Sequence, residues 1–103
     1  MPGSQVDELL DLAVTADPSL GDAHFQIGVR ATDDDNLPRA MEHLEIAARL
    51  LPRISYIWHA LAYAQMKAGL YEEARHSAER AYRTAESEDH AQMASTLLKA
   101  LEQ

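Results

Sequence analysis

SYIWHALAYAQMKAGLYEEARHSAERAYRTA, residues 55–85, is the stretch whose reading decides the fold. Trp58, Leu61 and Ala62 stand at helical spacing before Gly69, and Ala74 and Ala81 stand at helical spacing after it. The segment therefore reads as two helices joined by a turn at Gly69. Strand signals, such as β-branched alternation bounded by Asn-Gly turns, are absent from the chain.

Outward from this segment, the same punctuation recurs. Breaks fall at Asp17-Pro18-Ser19, Asp33 to Asn36, Leu51-Pro52-Arg53, around Gly69 and at Glu86 to Asp89. They leave six helices of roughly 13 to 15 residues, about four turns each. Helices this short are marginal in water and must pack to survive. Ser55 is placed to cap the helix carrying Trp58, and Asn36 to cap the helix opening Leu37-Pro38, where an early proline is tolerated.

Pro18 and Pro52 lie 34 residues apart, so an internal repeat is the first property to test. A shift of 34 superposes Ile27 on Leu61, Gly28 on Ala62, Leu37 on Tyr71, Ala40 on Ala74 and Ala47 on Ala81. It also superposes Leu10 on Leu44 and Ala13 on Ala47. Each unit is then a helical hairpin in which Gly28 or Ala62, opposite Ala40 or Ala74, lets two backbones approach while larger residues fill the gaps.

Trp58, Leu61, Ala62, Gly69, Tyr71, Ala74 and Ala81 together resemble the tetratricopeptide repeat (TPR) pattern. The preceding unit resembles it through Ile27, Gly28, Leu37, Ala40, Leu44, Ala47 and Pro52, but has His24 at the Trp position, Asp35 at the turn glycine and Ala31 at a usual aromatic. The resemblance implies an all-α fold, a right-handed superhelical stack of antiparallel helical hairpins with about six helices. Residues 1–103 form one domain in this reading: an orphan second-type helix at 4–16, repeats at 21–54 and 55–86, and a capping helix at 87–103. Met1 to Ser4 reads as a short turn ahead of the first helix. In the last segment a spacing of 34 would turn Gln92, Ser95, Thr96 and Lys99 inward, so a spacing of 32 is expected. It sets His90, Met93, Ala94 and Leu97 on Trp58, Leu61, Ala62 and Gln65, with Lys99, Glu102 and Gln103 on the wet side.

Composition narrows the function. Nine Lys plus Arg against seventeen Asp plus Glu leave a net charge of −8, a field that repels phosphate backbones and anionic lipid heads, so no nucleic-acid partner is expected. No apolar run approaches a bilayer span, so no membrane insertion is expected, and Met1-Pro2-Gly3-Ser4 lacks the regions of a signal peptide. The absence of cysteine excludes disulfide and thiol chemistry and leaves the compartment open.

Asp33-Asp34-Asp35-Asn36 resembles the start of a calcium loop but lacks the following glycine, and Leu44 stands where the bidentate glutamate would be. The five histidines, 24, 43, 59, 76 and 90, contain no pair three or four residues apart. No metal and no cofactor are expected. No Gly-x-Ser-x-Gly turn and no phosphate-binding glycine loop occur, so the chain is not expected to be an enzyme.

In such a stack the first helices line a concave side. The residues facing it are Asp22, Phe25, Val29, Thr32 and Asp33, then Tyr56, His59, Tyr63, Met66 and Lys67, then Glu88, Ala91, Ser95, Leu98 and Lys99. Phe25, Val29, Tyr56, His59, Tyr63, Met66 and Lys67 are thus the candidate groove for a peptide or helix of a protein partner. Some of these side chains could instead serve only the core. The best-known family mode clamps the terminal carboxylate of a heat-shock chaperone with Lys and Asn. Here Phe25, Val29 and Ala60 occupy those places, which disfavours that ligand.

The first helix carries Val6, Leu9, Leu10, Leu12, Ala13, Val14 and Ala16 around more of its circumference than one packing face requires. Either further repeats precede it in a longer protein, or a second copy covers it, making Leu9, Leu12 and Val14 a candidate self-association face of a homodimer. A structural role through self-association and a regulatory tail of a larger protein are the alternatives to peptide binding.

Overall fold

Each expected break separates two helices in the computed structural model, which describes residues 2–102. The order is α1 (Pro2–Ala16), α2 (Gly21–Asp33), α3 (Leu37–Leu50), α4 (Ser55–Lys67), α5 (Tyr71–Arg83) and α6 (Glu88–Leu101). The most extensive contacts join α2 to α3 and α4 to α5, the two hairpins, followed by α5 to α6 and α3 to α4. This is an all-helical stack of hairpins. α1 opens at Pro2, so Pro2 to Ser4 is helix and not the expected turn; a proline at the first helical position gives up an N–H that would have no partner there. Met1 and Gln103 lie outside the described residues.

The 34-residue repeat is written in the backbone hydrogen bonds. Asn36 N–H donates to Ala31 C=O at 2.8 Å and Leu70 N–H to Gln65 C=O at 2.9 Å, while Asp35 and Gly69 donate to Thr32 and Met66, both at 3.0 Å. These bonds close the ends of α2 and α4, and they need a left-handed residue, supplied by Asp35 at φ 60° and Gly69 at φ 82°. The links before α2 and α4 repeat as well: Asp17 and Leu51 N–H donate to Ala13 and Ala47 C=O at 2.9 and 2.8 Å.

Helix contacts are close because the facing residues are small. A Cβ on Gly28 would lie 2.4 Å from Leu44 Cγ and 3.2 Å from the Ala40 carbonyl oxygen. In the next hairpin Ala62 replaces Gly28 and Ala78 replaces Leu44, so a larger residue on one helix is matched by a smaller one on the other. One apolar cluster, with Leu44, Ile57 and Leu61 among five alanines, joins α2, α3 and α4; a second, Ala62, Ala74, Ala78, Leu97 and Leu101, joins α4, α5 and α6.

Buried polar groups tie the helices together. Ser77 Oγ donates to Gln65 Oε1 at 2.7 Å between α5 and α4. Ser55 departs from its expected role as a cap: Ile54 holds the cap position, and the buried Ser55 hydroxyl donates to Ala81 C=O at 2.7 Å, a carbonyl in the last turn of α5. Asn36 does precede α3, but its side chain makes no capping bond. Ser87 caps α6 by accepting from His90 N–H at 3.2 Å.

One position of α6 departs from the expected burial. Ala94, Leu97 and Leu101 are buried, but Met93 is 47% exposed, unlike the buried Leu61 with which a displacement of 32 pairs it. Leu61 belongs to the cluster shared by α2, α3 and α4 on a helix that also packs against α5, whereas α6 has only α4 and α5 against it. Gln92, Thr96, Lys99 and Glu102 are exposed.

Candidate peptide-binding face

The position expected to hold tryptophan shows how the first helices are anchored. Trp58 Nε1–H donates to Pro52 C=O at 2.8 Å, and 34 residues earlier His24 Nε2 meets Pro18 C=O at 2.9 Å. A carbonyl only accepts, so His24 Nε2 carries the proton and its Nδ1 accepts from His43 Nδ1–H at 3.0 Å. Thus α2 and α4 are held alike, each by a ring at its start, with the opposite side of the helix turned outward.

On that outward side Phe25 of α2 and Tyr56 of α4 meet edge to face, ring centroids 5.0 Å apart at 67°. Phe25 is half-buried against the first cluster, and Tyr56 stays 43% exposed. One turn further along, Val29, Thr32 and Asp33 of α2 and His59, Ala60 and Tyr63 of α4 enclose a hollow of about 260 Å³. Tyr63 is 44% exposed at its edge. Thr32 is buried and its hydroxyl donates to Gly28 C=O at 2.9 Å, so it contributes wall and no free polar group. Burial, and then the charge of nearby His90, hold the His59 imidazole below its ordinary value.

Lys67 closes this end. Its ammonium lies 5.7 Å from the Tyr63 ring centre and 3.7 Å from the Asp35 carboxylate. Met66 is set apart from the hollow, leaning with Leu98 against the second cluster. The structure therefore brings together Phe25 with Tyr56, Val29 with His59 and Tyr63, and Tyr63 with Lys67, and directs Met66 inward.

A second hollow of about 340 Å³ lies beside Tyr56, walled by Arg53, Ile54, Ser55, Thr84, Glu86, Ser87 and His90. Only Tyr56 of this group stands among the sequence candidates for the groove. The residues come from the two links that precede α4 and α6 and from the first turns of those helices, which stacking sets side by side.

On α1, Leu9 and Leu12 are 66% and 65% exposed, and Val14 is half-buried. α1 is tied to the hairpin by ion pairs of 2.5 Å, Asp7 with Arg30 and Asp11 with Arg39. Among the described residues, no three His, Cys, Asp or Glu side chains are grouped to hold a metal ion, and no helix is long and apolar enough to cross a membrane. Compared with known proteins, the chain matches no family model and no curated sequence.

Proposed function

We propose that this chain is a protein-interaction module of the tetratricopeptide type, holding a peptide or helix of a partner along α2 and α4. The observation that carries the reading is the apolar hollow between Val29, Ala60 and Tyr63, with a tyrosine left nearly half exposed above it. Aromatic side chains offer large contact area with few rotatable bonds, which suits a recognition surface. The family assignment is supported by the hydrogen bonds that recur at 34 residues and by the shared anchoring of His24 and Trp58 on proline carbonyls. Non-catalytic holding is part of the same proposal.

Titration with candidate partner peptides, followed by amide chemical shifts, tests it. Shifts are expected at Phe25, Val29, Tyr56, His59 and Tyr63, and binding is expected to weaken at least about tenfold in Tyr63→Ala. Shifts confined to α3 and α5 would sink the reading.

A second reading, self-association, is favoured by one specific observation: Leu9 and Leu12, two apolar side chains three residues apart, both lie about two-thirds in solvent. Sedimentation at several concentrations should then show a dimer that Leu9→Lys with Leu12→Lys abolishes. A wild-type monomer at every concentration would remove this reading.

A further inference from the structure

The hollow on the α2–α4 face has a chemical asymmetry that points to the kind of segment it takes. At about 260 Å³ it lies below the roughly 300–1,000 Å³ of small-molecule pockets, so it fits one side chain better than a whole ligand. Val29, Ala60 and Tyr63 give that side chain an apolar seat. Asp33 stands on the same wall, exposed and, among the described residues, outside every ion pair.

Its surroundings deepen the negative potential. Asp33 is the last residue of α2, at the negative end of the helix dipole, and Asp34 follows it directly. Lys67, the cation of α4 at this end, is already engaged by Asp35 and by the Tyr63 ring. His59, the remaining basic group of the wall, is held toward its neutral form by burial. Beyond the site, a net charge of −8 draws cations toward the molecule and turns anions away.

We infer that the hollow recognises an apolar side chain within a basic segment of a partner protein, with a neighbouring Lys or Arg of that segment paired to Asp33. The inference rests on the peptide-holding reading above and specifies its ligand. It is opposite in charge to a carboxylate-terminated ligand, which would meet Asp33 and the α2 terminus unfavourably.

Selection from a displayed library of random decapeptides tests it without presuming a sequence. Three proteins serve as bait: the full chain, Asp33→Lys and Tyr63→Ala. Asp33 and Tyr63 are both exposed, so neither variant disturbs the core, and thermal melts check that each is folded. Peptides enriched on the full chain are expected to carry Lys or Arg beside Leu, Ile, Met or Phe. They are expected to bind Asp33→Lys about tenfold more weakly and to lose affinity as salt is raised. Enrichment of acidic or uncharged peptides that still depend on Tyr63 would overturn the basic-segment inference and leave the groove standing. No enrichment over the Tyr63→Ala bait would overturn both.

Discussion

Two glycines separate two physical reasons for having no side chain. At Gly28 the reason is contact, because an added Cβ would sit 2.4 Å from Leu44 Cγ, and Leu44 is fully buried and cannot yield. Gly28→Ala should therefore destabilise by about 1–3 kcal/mol, despite the roughly 1 kcal/mol that alanine gains over glycine in a helix. At Gly69 nothing lies within 4 Å of the added Cβ, and the cost is only that of φ +82°. Gly69→Ala should lose about 1 kcal/mol. Denaturant midpoints at unchanged slope would check both. The histidines add a pH term. His43 is held below the ordinary value by burial, then by Arg39 and His24, with Glu42 and Asp11 opposing; His59 is lowered by burial and then His90. Each takes up its proton more readily unfolded than folded. Their contribution to stability is therefore complete above about pH 6.5 and is lost as pH falls below it. The melting temperature should drop between about pH 7.5 and 5.5, and His43→Asn with His59→Asn should reduce that drop.

At the scale of the helix, the second hairpin depends on small residues. Ala74 of α5 is fully buried with Ala62 and Ala78, so a much larger side chain there would have to push the helices apart. Ala74→Trp should unfold the domain or cost more than about 3 kcal/mol, read as loss of the cooperative helical melt. An unchanged curve would mean that α4 and α5 do not meet there. The helix boundaries were legible in the sequence because Pro18, Pro52 and Gly69 act locally on the chain. Asp35 stands in the turn glycine's place and adopts the glycine's left-handed conformation. Ser55 is not the cap its position suggests, because its hydroxyl answers to Ala81, 26 residues away in sequence. Met93 is exposed where the spacing of 32 would turn it inward, because its burial depends on how many neighbours α6 has, which no local spacing encodes.

Across the whole molecule, stability should be graded. α2 to α6 share two apolar clusters, while α1 has no buried residue among those described and is held by two ion pairs that are more than a third exposed. Such pairs contribute about 0–1 kcal/mol. Native-state hydrogen exchange should find α1 amides opening well below the global free energy, with α3 and α4 amides the slowest. Protection of α1 equal to that of α3 would show that another surface covers it in solution. The candidate groove was only half legible at this scale. Helical spacing named Phe25, Val29, Tyr56, His59, Tyr63, Met66 and Lys67, yet only the packed stack distinguishes those that line a hollow or its edge from Met66, which leans inward. By itself the sequence determined where helices start and stop and which pair into hairpins, because those follow from backbone restrictions and from apolar spacing within one turn. The tertiary structure decided which apolar sides are covered, which polar groups meet across helices and where a hollow remains. Those depend on distances set by side-chain volumes on helices far apart in the chain.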